Sequence, residues 1–334
     1  MTQYTVIGAG AIGGTVGAYM ARAGLDLLFV DADAAHVAAM NQDGLTIRGY
    51  EETFTVPVKA VTPDALPDKL GAVLLATKAP ATQAALAQIT PRLADDGFIV
   101  SIQNGLNELV ISDAVGKERT VGCFINFSAD YLEPGVIHFG GPGAFWLGEL
   151  DGEITPRLQQ LQTDLGHWGG GDVRMTDNIW GFLWGKMTYG AILFATALTN
   201  ETMADAISDY RGLMIRLAQE VLDVAAKEGR QPQGFDGFEP DVLGSGDAAA
   251  VAASIDRMVA VRRRDQKTHT GVWRDLAVRK RKTEVDAMYG PILGLAGKHG
   301  VDTPLLARMV AMIHEIEDGV RPLARENLDE LAQL

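Results

Sequence analysis

Tyr4-Thr5-Val6-Ile7-Gly8-Ala9-Gly10-Ala11-Ile12-Gly13 is the stretch on which the fold turns. A short apolar strand runs directly into a G-x-G-x-x-G turn. Gly14 to Ala23 then continues as a helical pattern that Gly24 ends. The order matters more than the glycines. In a strand–turn–helix unit the first glycine permits the tight turn, the second lets backbone approach a pyrophosphate, and the third lets helix and strand pack closely. The helix start adds free N–H groups and the positive end of its dipole. Gly8, Gly10 and Gly13, with Ala11 and Ile12 between them, are therefore the candidate dinucleotide-binding residues. A second strand, Leu27-Leu28-Phe29-Val30, ends in Asp31. That is close to the ~20-residue spacing at which an acid meets the adenosine ribose hydroxyls.

Outward from this unit, strands and helices alternate. A helix is expected over Asp33 to Gln42, and short strands over Leu45 to Arg48 and Phe54 to Val58. The continuous apolar run Ala72 to Lys78 suits a sheet buried on both faces. Pro80 opens a helix to about Leu93, and Phe98 to Ile102 is another buried strand leading into Gln103-Asn104-Gly105. Further strands are expected over Thr120 to Phe127, Val136 to Phe139 and Ala144 to Gly148. Such alternation gives an α/β doubly wound parallel sheet, whose ligands bind at the carboxyl ends of the strands. Gly10, Asp31, Lys78 and Asn104 all fall at such ends. From Asp177 the pattern is helical: Ile179 to Thr199, Arg211 to Glu228, Ala248 to Arg264, Glu284 to His299 and Leu305 to Ile316, with a loop from Gln231 to Gly246. The expected organisation is a Rossmann-like domain over 1–176 and an all-α domain over 177–334.

Composition narrows the function classes. The 334 residues leave room for two domains of about 100–200 residues each. With 47% hydrophobic and 22% charged residues the chain reads as globular, with a polar tail after about Asn327. A net charge of −14 argues against nucleic acid as a partner, because phosphate tracking needs a basic field. The lone Cys123 lies in an apolar run, which suits a buried strand and a reducing compartment. The uncharged stretch Met1 to Ala21 is broken by glycines and lacks a basic start, and Met187 to Asn200 is too short to span a membrane. A cytoplasmic protein is expected.

Lys186 stands inside the apolar helix, in Trp184-Gly185-Lys186-Met187. Burial lowers a lysine's pKa and suits a general acid or base; the alternative is a side chain that snorkels to the surface. Glu284 is the candidate partner, with Thr283 as a helix cap and Asp286 completing a weaker capping box. The basic runs Arg262-Arg263-Arg264 and Arg279 to Lys282 are expected as solvated helix ends or loop, or as one cation that draws in an anionic substrate. His269 and His314 lack metal-ligand spacing, and no metal is expected.

Together these pieces resemble the ketopantoate reductase (2-dehydropantoate 2-reductase) family through nearly the whole chain. Carrying the resemblance are Gly8 to Gly13, Thr77-Lys78, Gln103-Asn104-Gly105, Gly135-Val136-Ile137-His138, Leu147-Gly148-Glu149, Trp184-Gly185-Lys186 and Thr283-Glu284-Val285-Asp286. It implies an NAD(P)-dependent oxidoreductase of pantothenate biosynthesis, reducing ketopantoate to pantoate by hydride transfer. Lys186 matches the family's catalytic lysine, which protonates the ketone oxygen, and Glu284 its substrate-contacting acid. Asn104 matches the asparagine near nicotinamide and substrate, and Lys78 a lysine near the adenosine ribose or its 2′-phosphate.

Three departures stand out. Gly190 and Phe194 occupy the positions of two substrate-binding asparagines. Thr270, or Gly271, is the nearest counterpart of a substrate-binding serine, at a spacing to Glu284 that is one residue long. Asp31 stands where NADPH-using members often carry a basic residue, which favours NADH; Lys78 either pulls toward NADPH or pairs with Asp31. The alternatives are an NADH-dependent reductase of another 2-keto acid, of the D-2-hydroxyacid dehydrogenase type, and a dinucleotide sensor without turnover. A small-molecule 2-keto acid is the expected partner, and a homodimer stays open.

Overall fold

The computed structural model describes residues 3–264 and 267–334. Met1 and Thr2, which open the uncharged stretch discussed above, lie outside the described residues. The chain forms two compact units, Met1–Ile179 and Trp180–Leu334.

In the first unit the chain runs β1 (Tyr4–Ile7), α1 (Ala11–Arg22), β2 (Leu27–Val30), α2 (Ala34–Asp43), β3 (Leu45–Arg48), β4 (Thr53–Val56), β5 (Lys59–Val61) and β6 (Leu70–Leu75). It continues with α3 (Thr82–Ile89), β7 (Leu93–Ser101), α4 (Asn107–Val115), β8 (Thr120–Asn126), β9 (Ala129–Glu133), β10 (Val136–Phe139), β11 (Ala144–Glu149), α5 (Pro156–Leu165) and β12 (Val173–Met175). Among the described residues one sheet has the order β12-β11-β8-β7-β6-β1-β2-β5. Neighbours are parallel except β8 with β11. From β1 the chain adds β2 on one side, then returns to add β6 on the other, so the strand order reverses between β1 and β6. That reversal is where open α/β sheets leave a crevice for ligands.

Alternate residues of the central strands supply two cores. Tyr4, Val6, Leu74 and Val100 join one cluster with Val16 and Met20 of α1. Ile7, Val73, Leu75 and Ile99 join another with Leu86 and Ile89 of α3 and Ile111 of α4. Burial on both faces is why these strands read as unbroken apolar runs.

Several expectations need correction. Leu45–Arg48, Thr53–Val56 and Val136–Phe139 do not extend the main sheet. They form a separate sheet, β4-β3-β10-β9, with β9, a partly exposed strand that the sequence did not suggest. The strand expected to Lys78 stops at Leu75. The helix expected from Pro80 to Leu93 breaks into a 3₁₀ turn at Ala79–Ala81, α3, and a second 3₁₀ turn at Thr90–Arg92. Pro91 explains the break: it lacks an N–H and disfavours helical backbone just before it.

The second unit opens with α6 (Ile179–Thr196), α7 (Met203–Asp209), α8 (Arg211–Lys227), α9 (Pro240–Leu243) and α10 (Ala248–Arg264). Then come α11 (Gly271–Trp273), a π-helical segment Arg274–Arg279, α12 (Val285–His299), α13 (Pro304–Glu317) and α14 (Glu326–Ala332). Leu213, Leu217, Val221 and Val224 give α8 a buried stripe at helical spacing. Its buried Glu220 accepts from Leu305 N at 2.9 Å and Leu306 N at 2.8 Å, so a carboxylate caps the start of α13. Burial raises the Glu220 pKa, while the two N–H groups act against the rise. The polar tail expected after Asn327 is in fact α14: Leu328 and Leu331 are fully buried, and Asn327 Nδ2 donates to Leu198 O at 2.8 Å. Among the described residues no helix is long and apolar enough to cross a membrane.

Candidate active site

The glycine loop of the first unit is built by close approach. Gly8 has φ +92°, and a Cβ there would stand 2.7 Å from Thr77 N and 2.8 Å from Ala76 C. The β1 and β6 exits therefore meet backbone to backbone. A Cβ on Gly13 would lie 2.2 Å from Gly8 O. Gly10 differs: nothing lies within 4 Å of its Cβ position. It precedes α1, which has no side-chain cap and no acid in its first turn. The first intrahelical bond is Gly14 N to Gly10 O at 2.8 Å, so the N–H groups of Ala11, Ile12 and Gly13 have no intrahelical partner. Open space over Gly10 beside these donors fits a pyrophosphate.

Asp31 follows β2, the neighbour of β1. Its Oδ1 accepts from Asp33 N at 2.9 Å, and Asp33 in turn caps α2 through Ala35 N at 2.9 Å and His36 N at 3.3 Å. Those bonds, that from His36 N foremost, hold the Asp33 pKa below its ordinary value. Lys78 is exposed, just after Thr77, and its carbonyl accepts from Ala81 N.

Asn104 is exposed on the turn after β7, with its carbonyl accepting from Asn107 Nδ2 at 2.6 Å. The preceding Gln103 Nε2 donates to Thr77 O at 2.7 Å and to Thr82 Oγ1 at 2.8 Å, and Thr82 Oγ1 donates to Asn107 Oδ1 at 3.0 Å. This buried amide network ties the β6 exit, next to Lys78, to the β7 exit carrying Asn104. Gln103 was legible only as a member of the Gln103-Asn104-Gly105 motif; its partners were not.

In the second unit Lys186 sits on α6, whose other side chains from Ile179 to Trp184 are all buried. Lys186 itself is half-buried, as are Tyr189, Gly190 and Leu193, three, four and seven positions on. They make one partly open stripe on a buried helix. The Arg262 guanidinium lies 6.0 Å from the Tyr189 ring centre. One cation of the first basic run is thus close to the Lys186 stripe. The second run is engaged in ion pairs: Arg279 and Arg281 each reach Asp275 Oδ1 at 2.9 Å, and Lys282 reaches Asp318 at 3.6 Å.

Glu284 is half-buried at the cap position of α12, and its side chain makes no capping bond. The capping box expected of Thr283 and Asp286 is not formed. Thr283 N and Oγ1 both donate to Glu317 Oε1, at 2.6 and 2.7 Å, while Asp286 pairs with His314 Nε2 at 2.9 Å. Thr270 is buried, and its Oγ1 accepts from Trp273 N at 3.0 Å to cap α11. A π-helical segment, Arg274–Arg279, lies between Thr270 and Glu284. Its wider turn takes up one residue more than an α-helix.

Gly190 and Phe194 both meet the Tyr289 side chain. A Cβ on Gly190 would stand 2.7 Å from the Tyr289 hydroxyl. Phe194 packs edge-on against the Tyr289 ring, with centres 5.1 Å apart. Tyr289 is fully buried, its hydroxyl 3.3 Å from Met187 O, and burial drives its pKa well up. Aromatic surface therefore fills the volume that polar side chains at 190 and 194 would need. Among the described residues no group of His, Cys, Asp and Glu could hold a metal ion.

The family model described as ketopantoate reductase PanE/ApbA matches residues 4–152, and its C-terminal counterpart matches residues 178–317. The 2-dehydropantoate 2-reductase of Mesorhizobium japonicum is 28% identical over 94% of this chain and 97% of its own length. D-mandelate dehydrogenase, solved with NADH and anilino(oxo)acetate, superposes with a TM-score of 0.79 at 21% identity, covering 96% of this chain and 99% of that one. The 2-dehydropantoate 2-reductase of Geobacter metallireducens superposes with a TM-score of 0.78 at 23% identity, covering 94% and 99%.

Proposed function

Because the chain belongs to the ketopantoate reductase family, we propose that it reduces the ketone of a 2-keto acid, with Lys186 as the proton donor. A bound nicotinamide supplies one thing, hydride for the ketone carbon. Everything else falls to the chain. Lys186 gives an ammonium proton to the ketone oxygen as negative charge builds there, and a solvent proton restores it afterwards. A cation fixed beside that oxygen stabilises the transition state more than the ground state. Gly8, Gly10, Ala11, Ile12 and Gly13 hold the pyrophosphate. Asn104, Thr270 and Glu284 are the proposed substrate contacts, and Arg262, beside Tyr189, is the proposed cation for the carboxylate.

The observation that carries this reading is Lys186 itself. It is the one charged residue of α6, and it is half-buried among apolar neighbours. The test is Lys186→Met in the full chain. The variant is expected to bind cofactor as the parent does while kcat falls by ~10²–10⁴. Turnover within a few-fold of the parent ends the proposal.

A second reading concerns the substrate and the choice of cofactor. Asp31 is suited to accept from a ribose diol and to repel a 2′-phosphate, which favours NADH. The Tyr289–Phe194 pair favours a keto acid with a flat apolar substituent over ketopantoate. Profiling ketopantoate against aryl 2-keto acids, with NADH and NADPH, decides it. Preferred turnover of ketopantoate with NADPH removes this second reading and leaves the first intact.

A further inference from the structure

His36 lies outside every residue assigned so far, yet it is fully buried against the glycine loop. Its Nε2 is 2.9 Å from Ala9 O, and Gly135 N donates to its Nδ1 at 2.9 Å. A carbonyl only accepts and a backbone N–H only donates, so the ring has one workable arrangement. Nδ1 carries the lone pair, and Nε2–H donates to Ala9. Both contacts are with backbone, and both partners are themselves fixed. Gly135 has φ +78° in the β9–β10 turn, and its carbonyl accepts from Thr46 N of β3 at 2.8 Å. The Ala9 carbonyl is seated over Gly14, where a Cβ would come within 2.5 Å of the oxygen.

Pinning the Ala9 carbonyl has a geometric consequence. A trans peptide is planar, with its C=O and N–H directed oppositely, and no cis peptide occurs among the described residues. The Ala9–Gly10 peptide therefore directs the Gly10 N–H away from His36. Gly10 is the position with nothing within 4 Å of its Cβ site. Tyr131 packs edge-on against the same ring at 5.0 Å and donates its hydroxyl to Asp33 Oδ2 at 3.1 Å. Asp33 N is bonded to Asp31 Oδ1. One buried ring thus links the pyrophosphate loop, the small sheet and the segment carrying the ribose acid.

We propose that His36 is a positioning residue for the dinucleotide: by holding the Ala9 carbonyl, it aims the Gly10 N–H at the pyrophosphate. This rests on the reading that the glycine loop seats the cofactor.

The test compares His36→Leu, which keeps bulk but no polar atom, with His36→Gln, whose amide can donate to Ala9 and accept from Gly135. The readouts are NADH and NADPH dissociation constants by fluorescence titration, and hydrogen exchange of the amides at 8–14. His36→Leu is expected to weaken dinucleotide binding ~10-fold or more and to speed exchange at Gly10. Its kcat at saturating cofactor should stay within about twofold, because the chemical step is untouched. His36→Gln should recover most of the affinity, to within about threefold of the parent. If His36→Leu does not fold, His36→Asn, whose shorter amide cannot span both partners, takes its place with the same expected weakening. Parental affinity and exchange in a folded Leu or Asn variant overturns the proposal, as does a Gln variant no better than Leu. A parent protein that binds neither dinucleotide removes the cofactor reading itself, a failure visible before any variant is made.

Discussion

Gly10 and Gly13 belong to one loop, yet an added methyl should harm them differently. At Gly13 the new Cβ would overlap Gly8 O at 2.2 Å, and that oxygen is backbone in a turn with no room to retreat. Gly13→Ala is therefore expected to lower stability, by about 1–3 kcal/mol. Gly10 has φ −70° and open space beside it, so Gly10→Ala costs the unliganded protein little. Its methyl instead enters the volume assigned to the pyrophosphate, and NADH affinity should fall ~10-fold or more, as for other lost close contacts of backbone with phosphate. Urea denaturation and NADH titration of both variants check the pair. A Gly10→Ala protein with parental affinity would mean that the loop seats no pyrophosphate. At this scale the sequence was readable where a residue type has a steric reason, as in the close approaches at Gly8 and Gly13. His36 and Gln103 were not readable as loop holders, because their partners are backbone atoms far away in sequence and no spacing betrays them.

Among the helices, α14 gives the sharpest expectation. Leu328 is fully buried, and apart from it, Leu331 and Ala332 the helix carrying it is polar. Leu328→Ala should cost about 2–4 kcal/mol in urea denaturation, whereas a disordered tail would make the change silent. The stripe is only Leu328 and Leu331, too narrow for composition to reveal. Other elements divide in the same way. Central strands β1, β6 and β7 announced themselves through runs buried on both faces. Strand β9 could not, since Ala129 to Glu133 is half-exposed or exposed throughout and owes its conformation to pairing with β10. The second sheet joins two local hairpins, β3–β4 and β9–β10, through the parallel β3–β10 pairing of segments remote in the chain, which local pattern does not encode. Helix α5 had local signals: Thr155 as cap, Pro156 at the first position, and Leu158, Leu161 and Leu165 at helical spacing.

The molecule as a whole carries a net charge of −14. Both a dinucleotide and a 2-keto acid are anions, so the long-range field opposes their approach, and only local groups such as Arg262 act the other way. Salt screens the distant charges before the near ones. The expected outcome is that kcat/KM rises as ionic strength is raised from a low value; a steady fall would show that local cations govern encounter. Gly190 and Tyr289 carry a consequence of another kind, one of descent. The Tyr289 hydroxyl stands 2.7 Å from where any Cβ at 190 would be, and Phe194 packs against its ring. In descent the two positions are therefore coupled: a side chain gained at 190 needs the Tyr289 ring to shift or to be smaller, so the cost of a change at one depends on the residue at the other.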